Sequence, residues 1–182
     1  PSLAGIRLGL QGARNLVDSD SADAVPLIDS LLRELDHQVE GVRELSRGLL
    51  PPALDELGLA AALEEMSAVH SRSGFRVEVD ADVPSGRSGP VVAAAYGIAA
   101  EAVTNARRHS GADGCRVRVR ASADRLTLEV RDAGRGMDRN ARRGVGTHSM
   151  RERAEDVGGS VAITGAQPHG TVVTAHLPWG PS

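Results

Sequence analysis

The sequence predicts an α+β chain, in which an N-terminal helical hairpin is followed by an α/β two-layer sandwich. Three observations in the 182 residues support this prediction. Apolar residues recur every three or four positions up to Leu49, and the pair Pro51-Pro52 then ends this pattern. Segments with alternating apolar and polar residues follow, mixed with further helical patterns. We place the hairpin at residues 1–52 and the sandwich at residues 53–182.

The hairpin is predicted from two amphipathic patterns separated by the turn-like string VDSDSADAVP. The first pattern consists of Leu3, Ile6, Leu10, Ala13 and Val17. The second consists of Ile28, Leu31, Leu35, Val42, Leu45 and Leu49. Two such helices bury little apolar surface alone, so we expect a four-helix bundle in a symmetric homodimer. The alternative is a hairpin that packs on the downstream domain of its own chain.

The first half of the sandwich begins with a short turn and a helix in ALDELGLAAALEEMSAVHSRSG. The apolar stripe of this helix is predicted to be Leu59, Leu63, Met66 and Val69. The alternating segment FRVEVDADVP predicts a strand, and a second helix is predicted from Val91 to Arg108.

The second half of the sandwich begins with CRVRVRAS and RLTLEVRDAG, which predict a β-hairpin with a tight turn near Ala123-Asp124. A basic, glycine-containing loop is predicted at 139–146, followed by a helix from Thr147 to Val157 that ends at Gly158-Gly159. SVAITGA and TVVTAHLPW predict the last strands. Helices that are segregated from a mainly antiparallel sheet are typical of a two-layer sandwich.

Composition excludes several classes of function. The net charge of −3 and the lack of a recognition-helix pattern disfavour nucleic acid as a partner. The single cysteine, Cys115, excludes an internal disulfide and a cysteine zinc site. No run of eighteen apolar residues is present, so any membrane segments would lie outside this chain. We therefore expect a cytoplasmic location, as the cytosolic portion of its parent protein.

The string EAVTNARRH places a carboxylate, a carboxamide and a guanidinium at helical spacing. Glu101 and Asn105 lie one turn apart, and Arg108 follows a turn later, so that the three are predicted to share one helix face. Oxygen ligands suit a hard cation, and positive charge suits phosphate groups. This combination is what a Mg²⁺-nucleotide requires, although such a polar pair alone is more often a solvated helix face.

A second string, DAGRG, places Asp132 beside two glycines, Gly134 and Gly136. Glycines let the backbone approach a flat or phosphorylated ligand closely, although Asp and Gly are also common in ordinary turns. Gly144 and Gly146 precede a predicted helix, where backbone N–H groups can bind an anion.

The order of these motifs resembles the nucleotide-binding domain shared by gyrase B, the Hsp90 chaperones, sensor histidine kinases and MutL, which has the Bergerat (GHKL) fold. EAVTNARRHS is similar to the N box of that family, and DAGRGM, GVGTHSMRERAEDVGG and HGTVVTAHLP are similar to its three glycine boxes. ELSRGLLPPALDELGLAAALEEM and MRERA resemble the nitrate-sensor and DesK-type histidine kinases. The resemblance covers nearly the whole chain.

The resemblance implies an ATP site with a phosphate end. Asn105 would be the ligand of Mg²⁺ held by the ATP phosphates. Glu101 would position or activate the chemistry through the metal or a water molecule. Arg108 and His109 match the basic pair that faces phosphate in the family.

The base end of the site is implied in the same way. Asp132 would accept a hydrogen bond from the adenine amino group, and Gly136 would let the base approach. Thr171 would support the adenine pocket near Asp132. Gly144 and Gly146 would line the lid over the phosphates.

The family reaction transfers the γ-phosphoryl group of ATP to a histidine of the first bundle helix and then to an aspartate in the receiver domain of a response regulator. That histidine normally precedes a short string whose last residue matches Pro1. The resemblance therefore implies that residues 1–52 are a partial dimerisation hairpin without the phospho-acceptor segment. We expect the chain to bind ATP without phosphorylating itself.

Two other functions remain open at this stage. One is a nucleotide-binding regulator of the same superfamily without histidine kinase activity, such as an anti-sigma-type serine kinase or a degenerate partner. The junction LLPPALDELGL argues against it, because anti-sigma-type proteins lack the helical hairpin. The other is a dimeric scaffold that has lost ATP binding, against which the intact Asn105, Asp132, Gly134 and Gly136 argue.

Overall fold

The structure is a computed structural model that describes residues 51–87, 89–136 and 145–180, together with residue 28 alone. Most of the predicted hairpin and its homodimer interface therefore lie outside the described residues, as does Gly144. The chain divides into two units, Pro1–Leu49 and Leu50–Ser182, and the described fold is that of the second unit.

The described elements alternate between helices and strands. In chain order they are α1 (Pro52–Glu56), α2 (Leu59–Arg72), β1 (Arg76–Asp82), α3 (Pro90–Asn105), a π-helical turn (Ala106–Ser110), β2 (Gly114–Ala121), β3 (Arg125–Asp132), α4 (Val145–Glu155), β4 (Ser160–Gly165) and β5 (Thr171–Pro178).

The strands form one mixed five-stranded sheet in the order β1-β2-β3-β5-β4. The pairs β2–β3, β3–β5 and β5–β4 are antiparallel, whereas the pair β1–β2 is parallel. The parallel pair follows from the connection, because helix α3 carries the chain from the end of β1 back to the start of β2. The sheet is thus mainly antiparallel, as the strand patterns predicted, with one parallel edge.

The hydrophobic core lies between the helices and one face of the sheet. Alternate residues of β2 and β3 are buried on this inner face, and the residues between them face outwards, as period-two patterning requires. The largest fully buried side chains are Leu54, Leu63, Ile98, Leu126, Leu128, Met150, Leu177, Val103, Val117 and Val119. The described part is therefore an α/β two-layer sandwich, with helices on one face.

Helix α1 belongs to this core although it lies next to the predicted domain boundary. Pro52 occupies the first helical position, where its missing N–H group costs no hydrogen bond. Leu54 is almost fully buried. Gly58, the N-cap residue of α2, has φ of +87°, and a Cβ atom there would lie 3.3 Å from the backbone nitrogen of Gly86.

Three helix details differ from the sequence pattern. Val69, predicted in the apolar stripe of α2, is 51% exposed. The second predicted helix leaves α-helical geometry after Asn105 and continues as the π-helical turn. Helix α4 begins at Val145, so that Gly146 belongs to its first turn and not to the preceding loop.

The predicted glycine end of α4 is confirmed. The N–H group of Gly159 donates to the carbonyl of Ala154, and Gly158 has φ of +76°. Among the described residues, no helix combines the length and apolar character needed to cross a bilayer.

Candidate functional site

Two polar side chains lie at the C-terminal end of α3. Glu101 and Asn105 are both half-buried, and Nδ2 of Asn105 donates a hydrogen bond of 3.2 Å to Oε1 of Glu101. The i,i+4 spacing on one helix brings them together, as the sequence predicted. With Nδ2 directed at Glu101, the amide oxygen of Asn105 accepts no hydrogen bond from the described residues. The described residues therefore leave this oxygen open to a ligand.

The first turn of α4 lies directly against this pair. A Cβ atom built on Gly146 would lie 2.0 Å from Oε1 of Glu101 and 3.3 Å from Nδ2 of Asn105. Only glycine permits this approach without displacing the carboxylate. The positive end of a helix is also a favourable neighbour for a carboxylate. The structure thus joins Glu101, Asn105 and Gly146 in one cluster, the polar cluster of α3.

Asp132 ends β3 on the inner face of the sheet and is 7% exposed. Its Oδ1 atom accepts the N–H group of Gly134 at 2.9 Å and that of Thr171 at 3.2 Å. Its Oδ2 atom accepts no hydrogen bond from the described residues. A buried carboxylate with one oxygen fixed by two backbone donors can use the other to accept a donor from a ligand.

Close backbone contacts hold the two segments that supply these donors. A Cβ atom on Gly134 would lie 2.3 Å from the carbonyl oxygen of Ser110, and one on Gly170 would lie 2.1 Å from that of Asp132. Gly136, with φ of +79°, lies near Gly170, where its Cβ atom would be 3.2 Å from the carbonyl oxygen. The glycines therefore let three backbone segments meet around Asp132.

The contact between Gly134 and Ser110 connects the two parts of the site. Ser110 is the last residue of the π-helical turn that continues α3, and its carbonyl also accepts the N–H group of Arg135 at 2.8 Å. The loop after β3 is thereby attached to the helix that carries Glu101 and Asn105. π-Helical turns of this kind are frequent at functional sites.

Cys115 lies beside Asp132 as its cross-strand neighbour on β2. Burial, together with the nearby Asp132 carboxylate, raises the pKa of the Cys115 thiol to about 12. The thiol therefore stays protonated at neutral pH, which makes it a small apolar neighbour of the carboxylate.

Arg108 and His109 are exposed in the π-helical turn. The predicted common face with Glu101 and Asn105 assumed α-helical spacing, which ends at Asn105. A π-helical turn advances less per residue around the axis, so the α-helical spacing that predicted the common face does not apply to Arg108. In the described part of the chain, no hydrogen bond or ion pair joins either side chain to Glu101 or Asn105.

An open groove of about 380 Å³ passes the end of the sheet near Asp132. The residues that line it also include outward-facing side chains of β1, β2 and β3, among them Glu78, Arg116 and Arg131. Glu101 and Asn105 are not among these residues. We therefore locate the candidate site on the inner face, at Asp132 and the polar cluster of α3, and not in this groove.

The donor set can be compared with the needs of Mg²⁺. No group of three or more His, Cys, Asp or Glu side chains suited to a metal occurs in the described part of the chain. The available amide oxygen of Asn105 and the carboxylate of Glu101 fit a cation that is held largely by substrate phosphates and water, which is how Mg²⁺ usually binds.

Sequence reasoning missed two contributors to this site. Gly170 was included only as part of the string HGTVVTAHLP, although it packs on the backbone of Asp132. Ser110 was read only as part of the N box, although it is buried against Gly134. The glycine in HGTVVTAHLP was a signal in the sequence for Gly170. No signal in the sequence indicated the role of Ser110.

Comparisons with known proteins point to one family of ATPases. Residues 92–181 match the family described as histidine kinase-, DNA gyrase B-, and HSP90-like ATPase. The chain is 33% identical over 187 residues to the sensor histidine kinase MctS of Rhizobium johnstonii. The aligned region covers 97% of this chain and 40% of that protein. It is 36% identical over 148 residues to the sensor histidine kinase NarS of Mycobacterium tuberculosis, and this alignment covers 76% of this chain and 34% of that protein.

The fold is also similar to a solved structure. The histidine kinase domain of a blue-light activated histidine kinase from Erythrobacter litoralis superposes with a TM-score of 0.62 at 21% identity, covering 94% of each chain. At this identity the likeness concerns the fold alone. The chain spans two fifths or less of the length of the two sequence relatives.

Proposed function

Because residues 92–181 belong to the histidine kinase-, DNA gyrase B- and HSP90-like ATPase family, we propose that this chain is the ATP-binding catalytic portion of a two-component sensor histidine kinase. The observation that carries the proposal is Asp132, a buried carboxylate with one oxygen held by two backbone N–H groups and the other available to a ligand. The adenine amino group is the ligand donor that this arrangement suits.

The phosphate end of the site follows from the polar cluster of α3. Asn105 would hold Mg²⁺ through its amide oxygen, and Mg²⁺ would supply positive charge to the phosphate oxygens. Glu101 orients Asn105 through their hydrogen bond and offers a carboxylate that can order water near the transferred group. Gly146 and Gly144 would contribute backbone N–H groups toward the phosphates, and Arg108 and His109 would add positive charge.

The parent protein's reaction and partners are part of the same proposal. We propose transfer of the γ-phosphoryl group to a histidine and then to the receiver domain of a response regulator, with homodimerisation through residues 1–52. Two features support this proposal: the two sequence relatives are named sensor histidine kinases, and the junction ELSRGLLPPALDELGLAAALEEM supports the nitrate-sensor and DesK-type subfamily. The same relatives disfavour a regulator without histidine kinase activity.

Calorimetric titration with ADP in Mg²⁺ tests the proposal. The wild-type chain should bind ADP and should bind GDP much more weakly. Asp132→Asn should lose at least about tenfold in ADP affinity, because it removes a charge-assisted hydrogen bond in a buried site. Asp156→Asn, which removes an exposed carboxylate, should bind like the wild type. Equal binding of ADP and GDP by the wild type, or unchanged binding by Asp132→Asn, would contradict the role given to Asp132.

The same titration repeated in EDTA distinguishes residues that act through Mg²⁺ from residues that recognise the base. Asn105→Ala should weaken ADP binding in Mg²⁺ and leave the weaker, metal-free binding nearly unchanged. An equal loss under both conditions would show that Asn105 does not act through the metal.

A further inference from the structure

The loop of residues 166–170 between β4 and β5 forms one side of the Asp132 site. Its last residue, Gly170, packs on the carbonyl of Asp132 and lies near Gly136. The next residue, Thr171, donates its N–H group to Oδ1 of Asp132. The loop is closed on itself by the hydrogen bond of 2.9 Å from the N–H group of Ala166 to the carbonyl of Gly170. Any shift of this loop would therefore move a donor away from the carboxylate.

Arg131 holds this loop from the other face of the sheet. It precedes Asp132 on β3, so its exposed side chain points outwards while that of Asp132 points inwards. Its Nη2 atom donates a hydrogen bond to the carbonyl of Gln167, in the middle of the loop. The backbone of Arg131 is also paired with Val172 of β5. One residue thus binds both the loop and the strand that follows it.

We propose that Arg131 is a positioning residue for nucleotide binding, which acts by holding loop 166–170 so that the Thr171 N–H group stays on Oδ1 of Asp132. This inference rests on the proposed function of the Asp132 site. The hydrogen bond from Arg131 to the carbonyl of Gln167, which we call the strap, is present in the chain without a ligand. It leaves Oδ2 of Asp132 in one orientation for the base, and its loss leaves the Gly134 N–H group as the one remaining donor to Oδ1 among the described residues, so that the carboxylate is held less firmly.

Arg125 provides a matched control for Arg131. It lies on the same strand and is also exposed. At the other end of β3, its backbone pairs with Pro178 and is remote from loop 166–170. Arg131→Ala and Arg125→Ala therefore remove the same side chain from the same strand, and only the first removes the bond to Gln167.

Amide hydrogen exchange of the ligand-free chain is the first measurement. Arg131→Ala should speed exchange at the Thr171 amide severalfold, whereas Arg125→Ala should leave it at the wild-type rate. Arg131→Lys should restore most of the protection, because one ammonium group can also donate to one carbonyl. Wild-type exchange at Thr171 in Arg131→Ala would overturn the proposed strap, whether or not the chain binds nucleotide.

Nucleotide affinity is the second measurement. Arg131→Ala should weaken Mg²⁺-ADP binding about fivefold, as expected from the loss of one charge-assisted hydrogen bond that positions the site. It should also narrow the preference for ADP over GDP, which a general loss of stability would not change. Faster exchange at Thr171 with unchanged ADP affinity and preference would overturn the positioning role. A wild-type chain that binds no ADP would refute the proposed function, while the exchange measurement would still decide on the strap.

Discussion

Backbone contacts, more than side chains, surround the central residue of the candidate site. Asp132 receives two N–H groups on one oxygen, and its own carbonyl lies against Gly170. Gly170 has φ of +106°, a conformation that side chains rarely adopt, and its Cβ atom would lie 2.1 Å from that carbonyl. Gly170 must therefore be glycine for two reasons, its backbone conformation and its close contact with the carbonyl of Asp132.

Gly170→Ala should accordingly destabilise the fold and the site together. We expect a loss of about 2 kcal/mol in the free energy of unfolding, from a strained backbone and an overpacked contact, measured by urea denaturation. Gly165→Ala is the matched control, because Gly165 is the last residue of β4, directly before the loop, and its Cβ atom would meet nothing within 4 Å. This control should change stability by less than about 0.5 kcal/mol. Equal losses in the two variants would refute the close contact at Gly170.

At the level of whole elements, the parallel edge strand β1 is attached to β2 by charged pairs on the outer face of the sheet. Glu78 and Arg116 lie opposite each other and form a bridge of 2.9 Å. Asp80 accepts hydrogen bonds from both Arg118 and Arg120. These hydrogen bonds, with Arg120 contributing most, hold the pKa of the Asp80 carboxyl below its usual value.

Asp80→Asn should loosen β1 without unfolding the sandwich. Exchange of the β1 amides should become faster, and this difference from the wild type should shrink in high salt, because the pairs are exposed. A carboxyl whose pKa is lowered by folding stabilises the fold above its ordinary pKa, and this contribution is lost as pH falls through the lowered value. The difference between variant and wild type should therefore be full at neutral pH and disappear in strong acid.

Asp82→Asn is the control for this experiment. Asp82 lies on the same strand opposite Arg120, and its side chain has no hydrogen bond among the described residues. Exchange in this variant should stay near that of the wild type. If the two variants behave alike, the net charge of β1 and not the bonds of Asp80 attaches the strand.

Elements formed by local patterns could be predicted from the sequence, and contacts between distant segments could not. The i,i+4 spacing of Glu101 and Asn105 was sufficient to place them together, because one helix carries both. Alternation likewise located the strands. The hydrogen bond from Thr171 to Asp132 joins residues 39 positions apart, and only the sheet order β3-β5 brings them together. The π-helical turn could not be predicted, because α-helical and π-helical segments share the same local composition.

At the level of the whole molecule, the described unit has few groups that titrate in alkali. The chain contains no lysine. Burial raises the pKa of Tyr96, with a further contribution from Glu65, and the pKa of Cys115 is raised to about 12. In the unfolded chain the thiol ionises near 9, so the folded state retains a proton that the unfolded state releases.

Stability should therefore fall as pH rises above about 9. The native state binds more protons than the unfolded state in this range, and each such proton contributes a slope of up to about 1.4 kcal/mol per pH unit. Urea denaturation at a series of pH values measures the slope. In Cys115→Ala the slope should be smaller than in the wild type, because only Tyr96 retains its shift.

Val117→Ala is the control for the cavity that any truncation of the core creates. Val117 lies two residues from Cys115 on the same strand and is fully buried. This variant should be less stable at every pH, with a wild-type slope. A Cys115→Ala variant that keeps the full slope would contradict the retained proton on the thiol.

The main-chain character of the contacts around Asp132 affects how this site can diverge. Carbonyl and N–H groups are the same in every residue except proline, so side chains at positions such as 167 are free to drift while the same bonds persist. Insertions and deletions in the segment from Gly165 to Thr171 are different, because they would shift every one of these groups at once. The length of that segment, more than its composition, must therefore be kept when this sequence changes in evolution.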